Sequence, residues 1–167
     1  MAGAGGEDNG SFSLAGASLK TAVPFDFEAR STYSILVRVT DKAGLSHDQP
    51  FTISVTNVNE APVLSNVIKS VATNAAVDFA AEDFAAAFAD PDGDLLGQVK
   101  IVSLPASGTL TLAGATVKKG GTIPADQLSG LVYTPRAGFA GSDRFSWNAS
   151  DGLLSALTAA LVDLTVQ

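Results

Sequence analysis

The segment that divides this sequence into two parts is Phe51-Thr52-Ile53-Ser54-Val55-Thr56-Asn57-Val58-Asn59-Glu60-Ala61-Pro62. Its first half alternates apolar and polar side chains, which predicts a half-buried β-strand. Its second half holds two amides and a carboxylate within four residues, and Pro62 opposes a continuing strand because proline has no N–H to donate. Such oxygen-rich, proline-ended links either join tandem β-domains around a hard cation or are ordinary polar interdomain linkers.

The composition restricts the class of protein. The chain has 167 residues, 46% of them hydrophobic and 16% charged, so it can build a core as one domain or two small ones. Its net charge of -7 argues against a nucleic-acid partner, since little in the chain would neutralise phosphates. The absence of cysteine excludes disulfides and thiolate sites. No apolar run is long enough to insert into a membrane, and the glycine-rich residues 1–9 are expected to be a flexible leader.

Upstream of the link, residues 10–60 predict short β-elements. The clearest strand is Tyr33 to Thr40, in which every second side chain from Tyr33 to Val39 is apolar. A turn at Asp41-Lys42-Ala43-Gly44 and the strand from Phe51 to Thr56 complete a hairpin. The apolar face of this hairpin needs something to cover it.

Downstream of the link, residues 61–167 predict a longer and complete unit. Short strands recur at near-regular spacing between glycine and proline turns, which indicates a Greek-key β-sandwich. The alanine-rich residues 80–89 interrupt this pattern, and the spacing of Phe84 and Phe88 predicts a short helix with both rings on one face. Phe145 and Trp147 share a strand face with Ala149, which favours core positions over a carbohydrate-stacking platform.

Both parts resemble bacterial cadherin-like repeats. The blocks that carry the resemblance in residues 10–62 are Phe25-Asp26-Phe27-Glu28-Ala29, the strand ending in Val39-Thr40-Asp41, and the link itself. Those in residues 61–167 are Asp90-Pro91-Asp92-Gly93-Asp94, Leu104 to Leu110, Leu131 to Pro135, and Phe145 to Gly152. The resemblance implies an all-β, immunoglobulin-like or cadherin-like Greek-key sandwich, with the second half of one repeat (10–60) followed by one complete repeat (61–167).

Cadherin repeats bind calcium at the joint between two domains, and the resemblance therefore implies a ligand set. The implied ligands are Asp26 and Glu28 before the link, Asn57, Asn59 and Glu60 within it, and Asp90, Asp92 and Asp151 after it. The family has an aspartate where this sequence has Asn57, and a glutamate from an earlier strand has no counterpart. Both departures imply fewer ions or weaker binding. The alternative to a ligand role for Asp90 and Asp92 is an ordinary turn, since Asp, Pro and Gly all favour turns.

The sequence predicts no catalytic centre. The lone histidine, His47, is expected in a polar hairpin turn without a nucleophile in reach. The resemblance implies a non-catalytic extender segment of a secreted or cell-surface bacterial adhesin, placed outside the cell, with calcium at the joint and neighbouring repeats of the same chain as partners. The alternatives are a carbohydrate- or protein-binding adhesion module and an accessory domain of a secreted hydrolase. Because their apolar face lacks a cover, residues 10–60 are also expected either to self-associate or to be much less stable than residues 61–167.

Overall fold

A computed structural model of the chain describes residues 5–167, which form two compact units. Unit 1 runs as far as Val58, and unit 2 is Asn59–Gln167. The strands of unit 1 are β1 (Phe12–Ala15), β2 (Ser18–Thr21), β3 (Thr32–Thr40) and β4 (Ser46–Ser54), preceded by a 3₁₀ turn at Asn9–Ser11. They form two separate antiparallel hairpins, β1–β2 and β3–β4.

Unit 2 contains eleven strands among its residues, all of which the structure describes. They are β5 (Val63–Leu64), β6 (Val67–Val71), β7 (Val77–Asp78), β8 (Phe88–Ala89), β9 (Gln98–Ile101), β10 (Gly108–Leu112), β11 (Ala115–Thr116), β12 (Thr122–Pro124), β13 (Leu131–Pro135), β14 (Gly141–Ser150) and β15 (Ala160–Val166). The helix α1 (Ala81–Ala85) lies between β7 and β8, and a 3₁₀ helix spans Ala125–Gly130.

Two sheets enclose the core of unit 2. One has five strands in the order β12-β9-β14-β15-β6, and the other has four in the order β11-β10-β13-β7. The short pair β5–β8 is separate, and β15–β6 is parallel whereas the other pairs are antiparallel. The predicted all-β sandwich with one short helix is therefore confirmed.

Aromatic side chains fill the centre of this core. Phe145 and Trp147 are fully buried on the inward face of β14, as their alternation with polar neighbours predicts. Phe84 from α1 meets the Trp147 ring edge-on, with ring centroids 5.0 Å apart. The helix begins where Ala80 N–H donates to the Asp83 carboxylate, and its Phe84 side chain is fully buried in the core.

The predicted extent of the helix is wrong. It ends at Ala85, and Phe88 lies in β8 opposite Leu64 rather than on the helix face with Phe84. The alanine run favours a helix locally, but strand pairing with β5 overrides that preference at Phe88. His47 likewise lies in β4 opposite Val39, not in the hairpin turn where the sequence placed it.

Two residues predicted to belong to the flexible leader bind the edge of β3. The Asp8 carboxylate accepts a hydrogen bond from the N–H of Ser34 at 2.6 Å. It also accepts two from the Arg30 guanidinium, at 2.5 and 2.6 Å, in a bidentate ion pair. The Asn9 amide accepts from Leu36 N–H and donates to its carbonyl. These side chains substitute for a neighbouring strand, which satisfies backbone groups that would otherwise be exposed.

The hold of Asp8 on β3 should depend on pH. The Ser34 N–H, and then Arg30, lower the pKa of Asp8. A carboxyl whose folded pKa lies below the unfolded value of about 3.9 stabilises the fold above that value, and the stabilisation is lost as pH falls through the folded pKa. We therefore expect the hydrogen-exchange protection of the Ser34 amide to be kept at about pH 6 and to decline below about pH 4.

The Asp8→Asn variant is the matched control. It should show weaker protection of Ser34 near neutral pH, and this protection should not decline further between about pH 5 and pH 3. If the variant and the parent lose protection over the same pH range, another carboxyl controls this edge.

Candidate functional site

Five of the eight predicted calcium ligands belong to unit 2, and the structure brings them together at one end of it. Asn59 donates its side-chain N–H to the Asp151 carboxylate at 3.0 Å. The N–H of Glu60 donates to the Asp92 carboxylate at 2.8 Å. Side-chain oxygens of Glu60 and Asp92 lie within 4.8 Å of each other. The first two residues of the unit are thus bonded to both acidic turns that the sequence singled out.

The turn from Asp90 to Asp94 has a defined conformation. The Asp90 side chain accepts the N–H groups of Asp92 and Asp94 through Oδ1. Gly93 stands in the left-handed region, at φ +79°, where glycine carries no steric penalty. The residue types follow ordinary turn chemistry, and the turn directs the Asp92 carboxylate toward the backbone of Glu60.

The second oxygen of Asp90 distinguishes this turn from a plain one. Asp90 Oδ2 is shielded from solvent and has no hydrogen-bond partner. A buried carboxylate oxygen without a partner costs at least about 1–3 kcal/mol. A cation would satisfy this oxygen, since hard oxygen donors are what calcium prefers.

Asp151 is held by a turn of its own. Its Oδ1 accepts the N–H groups of Leu153 and Leu154, and its Oδ2 accepts from Asn59. The hydrogen bond from Asn59 is the largest cause that lowers the pKa of Asp151, so this carboxylate stays charged in mildly acidic solution. The neighbouring Gly97 lies against the Asp151 backbone, where a Cβ would come within 3.1 Å.

The other three predicted ligands, Asp26, Glu28 and Asn57, belong to unit 1. Asp26 begins a turn by accepting the N–H of Ala29 at 3.0 Å. Asp26, Glu28 and Asn57 all have exposed side chains. Their role as ligands stays a prediction.

Sequence reasoning missed the buried carboxylate of Asp143. The sequence predicted no role for this residue, but it is only 7% exposed at the start of β14. It accepts N–H groups from Ala106, Ser107 and Arg144, and the hydroxyl of Tyr133 at 2.8 Å. Burial, and then this contact, raise the pKa of Tyr133. Position 143 has the same inward parity as Phe145 and Trp147, which is the signal that identifies it.

The sandwich and its acidic end define the chain as a cadherin-like or immunoglobulin-like repeat of the bacterial kind. The family model described as bacterial Ig domain matches residues 59–165. The chain therefore belongs to the bacterial Ig domain family, whose members are typical of extracellular proteins and are typically non-catalytic. None of the curated proteins matches the chain.

A solved cadherin structure has a similar fold. The extracellular cadherin domains 3–6 of protocadherin gamma B2 match with a TM-score of 0.51 at 20% identity, covering 94% of this chain and 38% of that one. Human mucin-like protocadherin EC1-2 matches with a TM-score of 0.48 at 15% identity, covering 94% and 78%. An endo-fucoidan hydrolase of glycoside hydrolase family 107 matches with a TM-score of 0.37 at 17% identity, covering 94% and 22%.

Within residues 5–167, no helix is long and apolar enough to span a membrane.

Proposed function

We propose that this chain is a non-catalytic extender segment of a secreted or cell-surface bacterial adhesin, and that calcium stiffens the joint at Asn59 and Glu60. The observation that carries the proposal is the unpartnered, shielded Oδ2 of Asp90 beside a turn that binds the start of unit 2. An ion there would be coordinated by Asp90 Oδ2, which has no hydrogen-bond partner. Asn59, Glu60, Asp90, Asp92 and Asp151 are the proposed ligands from unit 2, and Asp26, Glu28 and Asn57 are those from unit 1.

The expected calcium affinity suits a protein that works outside the cell. Calcium sites of extracellular modules bind at about 10⁻⁴–10⁻³ M, an affinity suited to an environment rich in the ion. Replacement of a carboxylate by Asn57 places the site toward the weak end of that range. An extender that gains stiffness only where calcium is abundant would remain pliable until it leaves the cell.

Calcium titration tests the proposal. At a concentration 100-fold above the dissociation constant, calcium should add about 2.7 kcal/mol to the free energy of unfolding, because it binds the folded state alone. Calorimetric titration and thermal melts with and without chelator would measure this. The Glu60→Ala, Asp92→Ala double variant should lose the gain. The Asp26→Ala, Glu28→Ala variant should bind more weakly.

A second double variant is matched in charge. Glu82→Ala, Asp126→Ala removes two exposed carboxylates from elsewhere in unit 2 and should respond to calcium as the parent does. Equal responses of the Glu60/Asp92 variant and the parent would contradict the proposed site.

The rival function, direct binding of carbohydrate through an aromatic platform, has less support. Phe145 and Trp147 are fully buried, so neither ring is available to stack on a sugar. Catalysis also lacks support, since His47 lies exposed in β4 opposite Val39. The activity of a secreted hydrolase would have to come from another part of such a protein.

We also propose that unit 1 associates with a second copy. Tyr33 and Ile35 are its only buried apolar side chains among the described residues, whereas Val39 is 66% and Phe51 48% exposed on the same face. Covering roughly 300 Å² of such surface contributes about 7 kcal/mol, part of which offsets the entropy lost on association.

Sedimentation velocity of the full chain tests self-association. The parent should become increasingly dimeric or larger as its concentration approaches about 1 mM, because a net gain of about 4 kcal/mol corresponds to a dissociation constant of about 1 mM. The Val39→Ser, Phe51→Ser variant should be a monomer. Leu157→Ser, which alters a side chain 90% exposed in unit 2, is the control and should leave the state unchanged. A parent that sediments as a monomer at every concentration would refute the proposal.

A further inference from the structure

A groove of about 620 Å³ crosses the outward face of the five-stranded sheet in unit 2. Its floor is a row of paired residues on three neighbouring strands, Thr122 on β12, Lys100 on β9 and Asn148 on β14. These side chains point away from the core, since they alternate with the buried Val99, Ile101 and Trp147. The volume is within the range of pockets that hold small ligands.

Both walls of the groove are fixed by hydrogen bonds. On one side, Gly120 N–H donates to the Ile101 carbonyl at 2.7 Å, and Gly120 takes a φ of +83° that favours glycine. This turn presents Lys119 to the groove. On the other side, Asn148 donates its amide N–H to the Ala156 carbonyl at 3.0 Å, which anchors the loop that carries Ser155. A groove formed in advance loses little conformational entropy on binding.

The charge of the groove is opposite to that of the chain. Seventeen acidic residues give the chain a net charge of -7, but no Asp or Glu lines this groove, and Lys100 and Lys119 do. Within residues 5–167, the ion pairs join Arg30 to Asp8, Arg38 to Asp48 and Lys69 to Asp83. Neither groove lysine forms an ion pair there. Another cavity of unit 2, of about 520 Å³, differs, because Asp143 and Asp163 line it beside Arg144.

We propose that this groove binds an acidic saccharide, with Lys100 and Lys119 contacting its carboxylate or sulfate groups and Asn148 and Thr122 contacting its hydroxyls. The remaining lining consists of the amide of Gln98, the hydroxyls of Ser150 and Ser155, Gly120, and the apolar Val102 and Ala149. Its lysine, amide and hydroxyl groups recognise a molecule dense in hydroxyls and anionic oxygens. The groove contains no aromatic ring, which disfavours a neutral sugar held by stacking.

Other anionic partners fit less well. A protein partner needs an aromatic or aliphatic anchor in a pocket, and this groove offers only Val102 and Ala149 among its apolar residues. Nucleic acid needs more cations than two, because its affinity comes mainly from neutralised phosphates. A short acidic saccharide needs only one or two charges within reach.

Nuclear magnetic resonance titration of the full chain tests the inference, in chelator and at low salt. The probes are an oligogalacturonate, a dextran sulfate oligosaccharide, a neutral malto-oligosaccharide and an oligoglutamate peptide. At least one acidic saccharide should shift the amides of residues 98–102, 119–122 and 148–150 with a dissociation constant of about 1 mM or tighter. The tighter of the two identifies carboxylate or sulfate as the recognised group.

Charge-neutral variants test the two lysines. Lys100→Gln, Lys119→Gln should weaken binding by about tenfold, since each exposed charge contact contributes up to about 1 kcal/mol. The control is Lys118→Gln, which removes the same charge from the same turn at a residue that does not line the groove. It should change the affinity by less than about twofold. An equal effect of Lys118→Gln would show that binding depends on general charge attraction and not on the groove, and it would overturn the inference.

Three further results would also overturn it: no shift with either acidic saccharide, equal binding of the neutral one, or oligoglutamate binding at least as tightly. The inference goes beyond the extender function and does not depend on it. Because the titration is done in chelator, saccharide binding can be observed even if the chain has no calcium site. Conversely, calcium can stiffen the joint even if the groove binds no saccharide.

Discussion

Replacing Asp143 with alanine should lower the free energy of unfolding of unit 2 by about 3–5 kcal/mol. Asp143 accepts two N–H groups from the loop before β10 and the hydroxyl of Tyr133, while it lies on β14 in the opposite sheet. Without the carboxylate the buried hydroxyl of Tyr133 and the half-buried N–H of Ser107 lose their acceptor. Because a domain of this size is stable by only about 5–15 kcal/mol, the loss would be readily seen in denaturant or heat.

Two further variants help to interpret the loss of unfolding free energy expected for Asp143→Ala. Tyr133→Phe removes one donor and leaves the carboxylate in place, so we expect it to cost about 1–2 kcal/mol. Asp126→Ala removes an exposed carboxylate and should cost less than about 0.5 kcal/mol. Chemical denaturation of all three would separate the hydrogen-bonding role from a general effect of charge. An Asp143→Ala variant as stable as Asp126→Ala would show that the buried carboxylate contributes nothing.

Gly108→Ala should be the most damaging of the glycine substitutions within residues 10–167, with a loss of about 3 kcal/mol or more. A Cβ at this position would lie 2.3 Å from the Tyr133 ring and 2.7 Å from the Thr134 carbonyl oxygen. The ring cannot move aside, because it is fully buried and its hydroxyl is held by Asp143. The strain would therefore pass into the pairing of β10 with β13.

Gly130→Ala is the matched control for this substitution. Its new Cβ would meet its nearest neighbour at 3.5 Å, an ordinary contact, and the variant should change stability by less than about 1 kcal/mol. Urea denaturation of both variants would compare them directly. If Gly108→Ala proves as stable as Gly130→Ala, then the Tyr133 ring does not lie as close to Gly108 on β10 as the structure indicates.

The sequence predicted the sandwich because its strands follow a strict period of two. On β14 the alternation placed Phe145 and Trp147 in the core without any knowledge of the opposite sheet. The same rule applied to Asp143 would have placed it inside as well. A carboxylate can be buried at such a position where it has four hydrogen-bond donors, as Asp143 does.

Contacts between distant segments could not be predicted. Asp8 and Asn9 follow a glycine-rich start that gives no periodic signal, and their bonds to β3 join residues 26 and 27 positions apart. The end of α1 depended on whether β5 would pair with Phe88. In both cases the outcome was set by tertiary contacts rather than by local preference.

The candidate calcium ligands came from a family resemblance, and their geometry gives them separate physical support. The resemblance selected Asn59, Glu60, Asp90, Asp92 and Asp151 without stating how they are held. Hydrogen bonds link Asn59 to Asp151 and Glu60 to Asp92. The groove at Lys100 has no counterpart in that reasoning, since its residues come together only through strand pairing.

The rotational diffusion of the two units, measured by ¹⁵N relaxation, tests the central claim most directly. The Val39→Ser, Phe51→Ser background keeps the chain monomeric for this experiment. In about 10 mM calcium, well above the expected dissociation constant, both units should tumble with one shared correlation time, and in chelator they should show two shorter ones. Adding Glu60→Ala and Asp92→Ala should give two correlation times even with calcium. Correlation times that do not change when calcium is added would contradict a calcium-stiffened joint.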